Sequence, residues 1–166
     1  MSQAVFVYDT GMLIALERRE RPARLLHAGL VGPGHPPVVP LPVLAQAWRP
    51  GRWTPLTRAT QECIVFGARS DAAPACGVCQ AGHLPEDAKR AGHLLGEARL
   101  PAGKRPDAVD ALAVVIAARH PDAVIVSSDP GDLAAYRDVL APHAEGIRIL
   151  PVSDIAGFIE GKRVLR

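Results

Sequence analysis

Aromatic side chains are scarce in this chain, 4% of 166 residues, and cysteine occurs only three times. With so few rings there is no run of stacking platforms of the kind that grips single-stranded nucleic acid by its bases. An odd cysteine count gives no disulfide framework. Cys76 and Cys79 form one close pair, with Cys63, His83 and His93 nearby. A structural zinc site commonly uses two such pairs, so packing is the better reading of these residues. Long apolar runs are also missing, and nothing reaches the roughly 18 residues of a membrane span. Asp9 and Glu17 interrupt the N-terminal segment where a signal peptide would be apolar. These absences point to a cytoplasmic protein with no membrane partner. Nor does one sign of charge dominate: 19 Lys and Arg face 17 Asp and Glu, a net +2 that permits a nucleic-acid partner without demanding one.

What is present is an aliphatic load. Hydrophobic residues make up 48% and charged ones 22%, enough for one globular domain spanning residues 1–166. Strand-like and helix-like segments alternate, which predicts an α/β fold with a central parallel sheet. Strands are expected over Ala4–Tyr8, Val38–Val39, Ala123–Ser128 and Ile147–Leu150, and a further short one near Cys76–Cys79. Helices are expected over Met12–Glu20, Arg21–Leu30 (Pro22 suits a helix start), Leu41–Trp48, Pro55–Arg69, Pro85–Arg99, a segment opened by Asp107, and Gly131–Leu140.

Three acids carry the functional reading. Asp9 ends the first apolar strand and Asp129 follows the Ala123–Ser128 strand. In an open parallel sheet, ligands bind beyond the carboxyl ends of the strands. Asp110 stands in Ala108–Ala118, where every other residue is apolar, and a lone carboxylate there is costly unless it is paired or holds a metal. Carboxylates brought together repel, and a hard cation such as Mg²⁺ is the natural compensation. Two such ions would clamp the attacking and leaving oxygens of a phosphodiester, so metal-assisted phosphodiester hydrolysis is the reaction class that fits. Plainer roles compete. Asp107, after Pro106, suits a helix cap; Asp129-Pro130-Gly131-Asp132 suits a turn; Asp9 suits a cap for a helix beginning near Gly11.

The segment Val7-Tyr8-Asp9-Thr10-Gly11-Met12-Leu13-Ile14-Ala15 resembles the first acidic motif of the PIN-domain nucleases, in particular the VapC-type toxins of bacterial toxin–antitoxin pairs. The resemblance resumes at Val39-Pro40-Leu41-Pro42-Val43-Leu44-Ala45-Gln46-Ala47-Trp48-Arg49, at Asp107-Ala108-Val109-Asp110-Ala111, and at Ser127-Ser128-Asp129-Pro130-Gly131-Asp132-Leu133. It covers residues 4 to about 152, and its four motifs in order are more specific than any one of them. It implies a three-layer α/β/α PIN-like fold and a Mg²⁺- or Mn²⁺-dependent endoribonuclease acting on RNA and held inactive by a cognate antitoxin protein. Asp9, Asp110, Asp129 and Gln46 would be catalytic, and Asp9, Asp110, Asp129 and Asp132 would hold metal. Thr10 or Ser128 would take a polar supporting role, and the resemblance also implies a homodimer. The apolar faces of Met12–Leu30 and Leu41–Leu56 give that last expectation some support.

One departure matters. The second motif of the family usually carries Glu where this chain has Gln46, whose amide brings no charge. A binding module with a decayed site is therefore an alternative to an active nuclease. A phosphatase or receiver-like domain is a third reading, but a receiver wants a lysine at a later strand end, and none stands there. Arg18, Arg19 and Arg21, with Arg49 and Arg52, either line an RNA groove or form a solvated face; Arg49 follows Gln46 by about one helical turn. Trp48 and Trp53 read as packing anchors.

Overall fold

Two apolar strands at the centre of the molecule set the architecture. β1 (Val5–Tyr8) and β4 (Ala123–Ser127) run parallel in the register Val5↔Ala123 to Tyr8↔Val126. Every residue of β4 is buried, as expected of a parallel strand covered on both faces. β2 (Val38–Pro40) pairs with β1, β3 (Ile64–Phe66) with β2, and β5 (Ile147–Pro151) with β4. In the computed structural model, which describes residues 4–48, 54–67 and 82–164, these strands form an all-parallel sheet ordered β3-β2-β1-β4-β5.

Eight α-helices are described: α1 (Thr10–Glu17), α2 (Arg21–Val31), α3 (Leu41–Ala47), α4 (Thr54–Gln61), α5 (Pro85–Glu97), α6 (Ala108–Ala117), α7 (Pro130–Leu140) and α8 (Ile155–Val164). α2, α3, α5 and α7 each carry proline in the first turn, where its missing N–H costs nothing. Alternation along the strands divides the core in two. Phe6, Tyr8, Val124 and Val126 pack with Met12, Leu13, Leu16, Leu26, Val43, Leu56 and Ile155 on one face of the sheet. Val7, Ala123 and Ile125 pack with Ala91, Leu94, Val114, Ile116, Leu133 and Tyr136 on the other. The result is a three-layer α/β/α fold with a central parallel sheet, as the sequence predicted.

The order of the strands fixes where a site can form. From β1 the chain steps outward to β2 and β3; from β4 it steps the opposite way to β5. The two directions part between β1 and β4, leaving a crevice beyond their carboxyl ends. Asp9 follows β1 there, and Ser128 and Asp129 follow β4.

Several boundaries differ from the sequence reading. The single helix expected over Pro55–Arg69 ends at Gln61, and Ile64–Phe66 is an edge strand of the sheet. Two β-branched residues, Ile64 and Val65, pair with Val38 and Val39, and Gly67 at φ 94° ends the strand. The first helix starts two residues early, at Thr10, and stops at Glu17, with Arg19 in the left-handed region at φ 60°. α8 was not foreseen. The strand expected near Cys76–Cys79 lies outside the described residues.

Candidate active site

Asp9 continues the strand ladder by donating its N–H to Val126 O at 3.1 Å, and its own carbonyl accepts from Met12 N at 3.1 Å to start α1. Its side chain makes no cap. It turns instead to β4, where Ser127 Oγ donates to Asp9 Oδ2 at 2.7 Å. Asp9 is 4% exposed, and Oδ1 is buried with no hydrogen-bond partner among the described residues. Burial raises the pKa of this carboxyl. The Ser127 hydroxyl and the Thr10 N–H work against that rise, while Asp129 and Asp107 add to it.

Ser127 also accepts the N–H of Asp129 at 2.9 Å, so one buried hydroxyl ties the acid after β1 to the acid after β4. The close approach of these two chain segments needs a glycine. A Cβ on Gly11 would lie 2.3 Å from Ser128 Oγ and 2.6 Å from Ser128 N. The hydroxyl that meets these acids is that of Ser127, the last residue of β4, whereas Ser128 lies beyond the strand and is exposed.

Thr10 joins a second set of side-chain contacts. Its hydroxyl donates to Gln46 Oε1, and Gln46 Nε2 donates to Asp107 Oδ2 at 2.9 Å. Asp107 caps α6 through Oδ1, which accepts the Val109 N–H at 2.7 Å, and its backbone N–H reaches Tyr136 Oη at 3.0 Å. The capping role of Asp107 is borne out, but the residue also belongs to a chain of contacts linking α1, α3, α6 and α7. Asp110 sits in the first turn of α6 and is half-buried, not deep in a buried helix. Asp9, the acid after β1, is the more buried of the two. Even so, burial pushes Asp110 up to about 7, helped by the charges of Asp9, Asp107, Asp132 and Asp129.

The remaining two acids meet a lysine that the sequence reading did not single out. Lys104, on a turn closed by its N–H to Pro101 O at 3.1 Å, donates to Asp129 Oδ1 and stands 3.4 Å from Asp132 Oδ2. Asp129 is exposed, whereas Asp132 is buried. Lys104 has no apolar signature and lies 25 residues from Asp129, so only the folded chain reveals it. Ser127 and Tyr136 were equally unmarked.

The five acids share one electrostatic field, yet among the described residues no group of three or more His, Cys, Asp or Glu is gathered to hold an ion. Their chemistry nonetheless suits a hard divalent cation. The donors are all carboxylate oxygens, Asp9 Oδ1 is buried and unpartnered, and Asp110 resists ionising unless positive charge arrives. Arg49 lies outside the described residues, as do Arg52, Trp53, Cys76 and Cys79. Cys63 donates to Ala59 O at 3.1 Å, and burial pushes its thiol up to about 12, the mark of an inert packing residue.

No family model, no curated protein and no solved structure matches the chain. The site's chemistry therefore stands on its own geometry.

Proposed function

We propose that this chain is a metal-dependent endoribonuclease of the PIN type that hydrolyses RNA phosphodiesters as the toxin of a toxin–antitoxin pair in the cytoplasm. The observation that carries the reading is Asp9: a buried carboxylate with one oxygen unpartnered among the described residues, at the switch point of a parallel sheet, in the field of Asp107, Asp110 and Asp129. Asp9, Asp110, Asp129 and Asp132 would hold Mg²⁺ or Mn²⁺. When bound, the ion would neutralise phosphate charge and make a water acidic enough to supply the nucleophile.

The chain's own residues have narrower tasks. Ser127 holds Asp9 by donating to Oδ2, which leaves Oδ1 buried and without a hydrogen-bond partner among the described residues. Thr10 and Gln46 hold Asp107 on the α6 cap, and so keep the first turn of that helix and Asp110 in register. Phosphates of the RNA would be met by Arg and Lys side chains around the pocket, with contacts that weaken as salt rises.

A groove of about 970 Å³ between α1, α2 and α4 supports the antitoxin part of the reading. Its apolar lining includes Leu16, Leu25, Ala28 and Ala59, and Glu62, paired with His27, lies at it too. Its walls carry Arg19, Arg21, Arg24 and Arg58, none with an ion-pair partner among the described residues. An amphipathic acidic segment complements such a surface. Homodimerisation belongs to the same reading, and the exposed Leu41 and Trp48, at and just past the two ends of α3, are apolar area available to it. No described helix is long and apolar enough to cross a membrane.

The test is cleavage of a panel of structured RNAs with Mg²⁺ or Mn²⁺, by the wild-type chain and by Asp110→Asn. Metal-dependent cleavage that Asp110→Asn abolishes supports the proposal. One observation favours a second reading, a binding module without catalysis: Gln46 is built into the hydrogen-bond network as a neutral amide. RNA binding with no cleavage under either metal would select it.

A further inference from the structure

Lys104 is the one basic side chain found among the pocket's acids in the described residues. Its ammonium hydrogen-bonds Asp129 and lies 3.4 Å from Asp132, reaching across the mouth of the crevice from a turn that precedes α6. The two acids differ in kind. Asp129 is half-exposed, but the Asp132 side chain is only 9% exposed, so a charge there needs a nearby counter-charge. Lys104 supplies it from a flexible stem whose own side chain is 43% exposed. Asp9, tied to Asp129 through Ser127, is almost completely buried, and its Oδ1 has no hydrogen-bond partner among the described residues. Asp129 and Asp132 thus have a cationic partner, while Asp9 has none among the described residues.

We propose that Lys104 is a built-in counter-ion, seated where a divalent cation would draw Asp129 and Asp132 inward, so that cation binding at this site is an exchange and not a simple addition. The proposal rests on the metal-site reading above and concerns how that site loads. An ammonium is a point charge with three donors that can satisfy carboxylates but cannot bridge several of them in an octahedral set. A divalent ion binding Asp9 together with Asp129 or Asp132 would compete directly for the oxygens Lys104 now contacts. Repulsion between the ion and the ammonium would then expel Lys104 with its turn. Gly103, at φ 80°, lets the turn beside Lys104 take a conformation closed to most residues. Two consequences follow. Lys104 offsets the charge of Asp129 and Asp132 when no cation is bound, and the wild-type affinity for metal is lower than the acids alone would give.

Isothermal titration of Mn²⁺ alone into wild type, Lys104→Met and Lys104→Arg reads the exchange without any RNA. Lys104→Met keeps the apolar stem and removes the charge, so it should bind Mn²⁺ about fivefold or more tightly, while Lys104→Arg should stay near wild type. Acylation of wild-type Lys104 by an amine-reactive ester, followed by peptide mapping, should speed up when Mn²⁺ is added. Equal or weaker Mn²⁺ binding by Lys104→Met, or acylation of Lys104 unchanged by bound Mn²⁺, overturns the exchange while leaving the metal site intact. Absence of Mn²⁺ binding in all three chains up to millimolar concentration overturns the metal site and the exchange together. Mn²⁺ exchange without RNA cleavage would refute only the nuclease.

Discussion

Gln46 donates its side-chain amide to Asp107 across 2.9 Å while taking the Thr10 hydroxyl on its oxygen. The orientation is fixed by its neighbours: an ionised Asp107 can only accept, and the Thr10 hydroxyl is free to donate. A glutamate in this place could not donate to Asp107 unless it held a proton. The amide therefore lets the α6 cap and the acid pocket coexist with less repulsion than an all-carboxylate arrangement.

Gln46→Glu should accordingly lower the stability of the metal-free chain by about 1–2 kcal/mol, through the lost hydrogen bond and the new like charge beside Asp107. Added Mn²⁺ should recover most of that loss and raise the melting temperature more than it does for wild type. Differential scanning fluorimetry with chelator and with Mn²⁺ reads both. A variant as stable as wild type in chelator would show that the Gln46 amide contributes nothing at this junction.

Gly11→Ala should cost about 1–3 kcal/mol, because the new methyl meets Ser128 backbone and side chain far inside contact distance. The damage should be local to the junction of β1 and β4. Urea unfolding should show a lower midpoint with an unchanged slope. Gly29, whose added Cβ would meet nothing within 4 Å, serves as the control, and Gly29→Ala should leave the midpoint near or above the wild-type value.

The strands that carry the site were legible because they are the most buried. Phe6–Tyr8 and Ala123–Ser127 read as apolar runs, and their order with the helices gave the layers. Asp9 and Asp129 stood out as the first acids after those runs. β3 was lost inside a predicted helix because Ile64-Val65-Phe66 is short and its state is decided by pairing with Val38–Pro40, a contact no local pattern records. The same holds for Lys104, Ser127 and Tyr136, each of which enters the site through a partner 25 or more residues away. Asp107 was visible as a cap, but its tie to Gln46 spans 61 residues and was not.

Ser127→Ala should remove the only hydrogen bond that Asp9 Oδ2 receives from a described side chain, and leave the N–H of Asp129 without its acceptor. A cost of about 1–3 kcal/mol in chelator follows from leaving a buried acceptor unsatisfied. The Asp9 carboxyl, already raised by burial, should move higher still once the hydroxyl that opposes the rise is gone. Backbone or side-chain NMR titration of Asp9 checks the direction. Ser128→Ala, at an exposed position, should do neither.

Asp110 gives the metal-free chain a characteristic pH dependence. Its carboxyl ordinarily titrates near 3.8, and the fold pushes it up to about 7. Between those values the folded chain holds a proton that the unfolded chain has released, so stability falls as pH rises. The contribution is complete below the unfolded value and gone above about 7. Asp9, also raised, acts in the same direction. In chelator the melting temperature should therefore drop between about pH 4 and pH 7, and Asp110→Asn, uncharged throughout, should flatten much of the drop. Mn²⁺ favours the charged carboxylate and should restore wild type at the upper end but leave Asp110→Asn little changed. Asp110→Asn should also abolish cleavage. Asp107→Asn retains an oxygen for the Val109 N–H but turns an amide towards Gln46 Nε2, costing about 1–2 kcal/mol while leaving cleavage in place. Loss of cleavage in Asp107→Asn with activity intact in Asp110→Asn would mean that the carboxylate at the cap, and not the one a turn beyond it, is the functional acid of α6.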